Sequence, residues 1–217
     1  MIFSSRRLSP IFAALSLLIL TQCSTVYYEA MDKVGVHKRD ILVKRVDKAK
    51  DAQEATKEEF ANALEQFQSV VSFDGGDLQR EYERLNGAYE ASSEKAAAVK
   101  SRNDDVENVA KALFKEWRAE LKEYSNANLR ASSQQQLAET EARYRQLMAA
   151  MRRAESRMDP VLRTFRDQVL YLKHNLNARA IGALKVELAG VEASTAALIG
   201  EMNVSIAEAQ RFIASME

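Results

Sequence analysis

Imidazole and thiol, the side chains that most often ligate transition metals, occur three times in this 217-residue sequence: His37, His174 and Cys23. His37-Lys38-Arg39-Asp40 sets a carboxylate one helical turn from an imidazole, the spacing of a base and the group that orients it. Lys173-His174-Asn175 sits at a predicted helix end, where a protonated imidazole meets the helix dipole favourably. With no His pair at i,i+4 and no second Cys, neither a zinc set nor a disulfide can be assembled. The carboxylate pairs Glu58-Glu59 and Asp104-Asp105 resemble general acid/base pairs. Lys57 and Arg102 flank them, however, and that alternation belongs to a solvated helix face. Phe73-Asp74-Gly75-Gly76-Asp77 puts acids beside glycines but lacks the ordered oxygen ligands of a calcium loop, and reads as a turn. A Ser-His-Asp system would need a strained elbow or a shaped cleft. The sequence suggests neither, so a non-enzymatic protein without metal or cofactor is expected.

Charge is the second chemical signal. Lys plus Arg and Asp plus Glu each total 31, which gives no reason to expect a nucleic-acid partner. Residues 140–166 are the exception. They hold seven arginines (143, 145, 152, 153, 157, 163 and 166) against Glu141, Glu155 and Asp159. Two readings stay open. These arginines pair with acids on neighbouring helices, or Arg143, Arg145, Arg152, Arg153 and Arg157 form a stripe that touches lipid phosphates or an anionic cell-wall polymer.

The lone cysteine has a context. Arg6 and Arg7 precede the apolar run Ile11–Leu20, and Leu20-Thr21-Gln22-Cys23 comes next. A basic segment, a short apolar core and a cleavage region make a secretory signal. Ten helical residues reach about 15 Å, half of a bilayer core, so a permanent span is not expected. Leu20, Thr21 and Cys23 resemble a bacterial lipobox, in which the thiol accepts a diacylglyceryl group; Gln22 departs from the small residue usual there. On this reading Cys23 is the lipidated first residue of the mature chain. Ser24, in place of Asp, implies sorting to the periplasmic face of the outer membrane.

These groups must be carried by helices. Seven Gly and two Pro leave few turns. Breakers fall at Ser72–Asp77, Ser125–Asn128 and Asn175–Asn177, with Asp77 placed to cap the second helix. Between them apolar residues recur in steps of four and three. The first segment runs Leu42, Val46, Ala49, Gln53, Thr56, Phe60, Ala63, Phe67, Val70. The second continues Leu78, Tyr82, Leu85 to Trp117, with Asn103 in its seam. The third runs from Leu137 to Leu176 with one slip after Phe165, and the fourth from Ile181 to Met216. A sustained repeat of 3.5 residues winds helices into a left-handed supercoil, and no stretch alternates with period two.

The fold class expected is therefore all-α, an elongated antiparallel bundle of about four long coiled-coil-like helices, with two loosely joined hairpins as the alternative. Pro160 predicts a kink or short break in the third helix. Asn103 predicts a core amide paired with Asn or Gln on a facing helix. Trp117, Tyr82, Tyr89 and Tyr124 are expected in or next to the core. The organisation is a signal peptide at 1–22, a membrane-proximal tether at 23–37 and the bundle at 38–217.

Four stretches carry a family resemblance: Lys33–Val43, Phe73–Leu78, Tyr124–Asn126 and Leu172–Ile181. They are similar to a family of Gram-negative helical lipoproteins catalogued only as a domain of unknown function. The resemblance implies a lipid-anchored, all-helical envelope protein and brings no catalytic residues with it. The expected role is a scaffold or spacer that presents helix faces to a helical protein partner, membrane or cell wall, with homo-oligomers possible. A membrane-remodelling or pore-forming protein is the alternative.

Overall fold

The structure is a computed structural model and describes residues 37–216, so the readings placed on Leu20, Thr21, Gln22, Cys23 and the tether lie outside the described residues. Four helices make up the fold: α1 (Lys38–Val71), α2 (Leu78–Glu120), α3 (Ala127–His174) and α4 (Ala178–Met216). At 1.5 Å per residue, α3 with its 48 residues is about 70 Å long. Helices adjacent in sequence pack on one another, and α4 closes back on α1, so the chain forms a four-helix ring rather than two loose hairpins. No strand is present among the described residues.

The heptad positions read from the sequence are the positions that fill the interior. Leu42, Val46, Phe60, Phe67 and Val70 of α1 are completely buried, as are Leu147, Met151, Phe165 and Leu172 of α3. The core divides into two apolar clusters along the rod. One joins Ile41–Ala49, Val106–Phe114, Leu137–Met151 and Ala209–Met216. The other joins Phe60–Val71, Leu85–Val99, Ala154–Leu172 and Ala180–Met202. Between them lie buried polar residues: Gln53 and Thr56 on α1, Asn103 on α2 and Ser205 on α4. These four sit near the middle of the bundle, while Ser92, Thr140, Gln168 and Thr195 are buried elsewhere along it.

Helix starts are set by short polar side chains. Asp77 accepts from the Arg80 amide at 3.2 Å, Asn126 from Asn128 and Leu129 at 2.9 and 3.1 Å, and Asn177 from Arg179 and Ala180 at 3.0 and 3.2 Å. Each satisfies amide groups that a helix N-terminus leaves open. The turn between α1 and α2 needs its glycines, since Gly76 has φ +120°, a conformation L side chains rarely adopt.

Four expectations need correction. Pro160 does not split the third helix: α3 runs unbroken from Ala127 to His174 with the proline inside it. Pro160 itself is exposed, while Met158, Val161 and Phe165 on either side are buried, so core packing holds the helix across the missing hydrogen bond. Asn103 pairs with Glu155 rather than with an amide. Tyr124 is 39% exposed in the α2–α3 loop, and Leu176 is 39% exposed in the α3–α4 turn. Both lie past a helix end, where the heptad no longer dictates direction. Trp117, Tyr82 and Tyr89 pack half-buried against the core as expected, and the Trp117 indole donates to Ser133 Oγ at 2.8 Å.

Candidate functional site

The arginines of α3 do not form one stripe. Heptad winding turns them toward different neighbours, and the acids opposite decide what each can do. Arg152 faces α2. Its Nη2 donates to Asp104 at 2.8 Å and to Glu107 at 2.7 Å, and its Nη1 to Glu155 at 2.8 Å. Glu155 in turn accepts from buried Asn103 Nδ2 at 2.9 Å. A charged clasp therefore joins α2 to α3 and runs inward to the polar middle of the core.

The clasp shifts its members' protonation. Hydrogen bonds from Lys111 and Arg152 hold the Glu107 carboxyl below its ordinary range. Burial opposes the Arg152 charge, but the bonds to three carboxylates outweigh it and raise its pKa. Burial, reinforced by the Glu107 charge, pushes the Tyr144 hydroxyl up to about 12. That ring stacks edge-on against Phe114 with centroids 5.3 Å apart.

Arg153 and Arg157 face α4 and share Glu201 at 3.5 and 3.4 Å. Arg143 reaches Glu139 at 3.4 Å and Arg145 reaches Glu141 at 3.9 Å, both along α3 itself. Glu141 is also held by Arg118 of α2. Arg143 and Arg153 further line an open groove of about 670 Å³ between α3 and α4, together with Gln146, Arg211 and Phe212. Arg211 is tied there to Glu208. The structure thus places all five arginines in ion pairs, three of them across helix interfaces. Arg143, Arg145, Arg153 and Arg157 stay roughly half exposed or more within these pairs, and Arg152 is the most enclosed of the five.

The remaining sequence candidates are separated. His37 caps α1, its carbonyl accepting from the Asp40 and Ile41 amides at 3.0 and 3.1 Å. His174 ends α3 and is exposed, about a bundle length from His37. Asp104 and Asp105 point to different cations, Asp105 to Arg45 of α1 at 2.9 Å. Among the described residues no cluster of His, Cys, Asp and Glu is arranged to hold a metal. The stripe drawn from the sequence left out Arg163 and Arg166, and sequence reasoning did not join them to the cations that follow. Arg163, Arg166, Lys173, Arg179 and Lys185 are exposed and make no side-chain ion pair or hydrogen bond among the described residues. The sparse acids of 163–187 were the available signal.

Residues 27–216 match the family described as "Protein of unknown function (DUF2959)", and the chain belongs to that family. Comparison with curated proteins and with solved structures returns no match.

Proposed function

We propose that this family member is a non-enzymatic, lipid-anchored scaffold or spacer of the cell envelope, held by Cys23 at the periplasmic face of the outer membrane. The observation that carries the proposal is a single cysteine, placed after a basic-apolar leader, ahead of a rod of four long helices. Several acyl chains hold a protein on a bilayer without a spanning helix. No described helix is long and apolar enough to cross a membrane. A stiff bundle about 70 Å long, with charged outer faces and buried seams, suits holding things apart or together.

Radiolabelled palmitate tests this reading. Label enters the wild-type chain in cells and is lost in Cys23→Ala, and globomycin leaves a larger, unprocessed species. A mature chain that carries no acyl group would refute the anchor.

A further inference from the structure

We propose that the turn joining α3 to α4 is a membrane-docking tip that binds the surface of an anionic phospholipid leaflet. Three of the seven large apolar side chains exposed among the described residues fall within seven residues: Leu170 (46%), Tyr171 (40%) and Leu176 (39%). Arg163, Arg166, Leu170 and Lys173 succeed one another at helical spacing and lie on one outer face of α3. Arg179 and Lys185 continue the cationic character over the first two turns of α4. Only Asp167 and Glu187 offset these five cations between residues 163 and 187.

The turn is stiff. Asn175 Nδ2 donates to the Tyr171 carbonyl at 2.8 Å and the Asn177 amide to the Asn175 carbonyl at 2.9 Å. Asn177 then caps α4, so hydrogen-bonded asparagines flank the partly exposed Leu176 on both sides at the apex. Exposing Leu176 in this way costs stability that the core does not recover, whereas inserting it into a bilayer interface recovers it.

Charge and polarity together select the occupant. Lys and Arg beside an anionic leaflet are attracted to its phosphates, and an amphipathic tyrosine ring suits the headgroup level. A hydrated wall polymer offers anions but no apolar phase for Leu170 and Leu176. The neighbouring α1–α2 turn and the start of α2 add Asp74, Asp77, Glu81 and Glu83 against Arg80 and Arg84. Asp77 is engaged there as a cap and Glu81 is paired with Arg84, so the cations of 163–185 lie on the α3–α4 side of this end. The tip rests on these described residues and does not depend on acylation of Cys23.

Because Cys23 is the sole cysteine, the full chain carrying Cys23→Ala and Leu176→Cys accepts one environment-sensitive fluorophore at the tip. Vesicles containing phosphatidylglycerol should shift its emission to the blue and shield it from iodide, while neutral phosphatidylcholine vesicles should not. A probe at Val204→Cys on the shaft should stay quenchable on both. Lys173→Gln with Arg179→Gln should weaken the tip's partitioning by roughly thirtyfold, with helical content by circular dichroism unchanged. No shielding on either vesicle, or equal shielding on both, overturns the proposal. So does shielding by soluble wall fragments or an acidic protein without vesicles.

Discussion

Gln53 is completely buried in the middle of the bundle, and neither its amide nitrogen nor its amide oxygen has a partner. A buried unsatisfied polar group costs about 1–3 kcal/mol, so Gln53→Met should raise the unfolding free energy by an amount in that range, read from the urea midpoint at unchanged slope. Asn103 differs, because its Nδ2 meets Glu155 while its Oδ1 stays unpaired. Polar seam residues of this kind trade stability for a single register. Glu107 supplies a pH test. Its carboxyl titrates below its ordinary 4.5, so its contribution to stability is complete above that pH and is lost as pH falls through the lowered value. The stability gap between wild type and Glu107→Gln should accordingly be full at neutral pH and close in acid, as followed by denaturant titration at successive pH values. A gap independent of pH would show that Lys111 and Arg152 do not favour the ionised form. The polar identity of these positions is legible in the sequence. Their partners are not, because partnership depends on which helix lies opposite.

The third helix shows how packing overrides a local rule. An interior proline costs roughly 3 kcal/mol relative to alanine through its missing N–H and its clash with the preceding turn. The sequence therefore points to a break that α3 does not show. Met158, Val161 and Phe165 anchor both flanks in the core, and Ser156 Oγ turns back to the Arg153 carbonyl at 2.8 Å. Pro160→Ala should then stabilise the protein by about 1–3 kcal/mol with no change in helical content. A destabilised variant would mean that the proline shapes the helix to its neighbours. At the start of α4, Asn177→Ala should cost about 1 kcal/mol by removing the side chain that accepts from two open amides, measurable as a lower thermal midpoint. Caps of this type are local, which is why Asp77 is readable as one from sequence alone.

At the scale of the whole molecule, the helices lie side by side along their length, so small-angle scattering should give a radius of gyration well above the roughly 16 Å of a compact globule of this size. A value near that figure would contradict the rod. The chain reaches α1 at His37, and the proposed docking tip is at the other end. An anchor and a tip so placed would hold two surfaces about a bundle length apart. By itself the sequence determined the all-helical class, the seams and the turns, because a repeat of seven and three clusters of breakers are written locally and admit few solutions. Only the tertiary structure decided what the charges do. Ion pairing depends on the neighbour that a helix face meets, so the conspicuous arginines between 143 and 157 were bound to acids, and less conspicuous cations from 163 to 185 were left open to solvent.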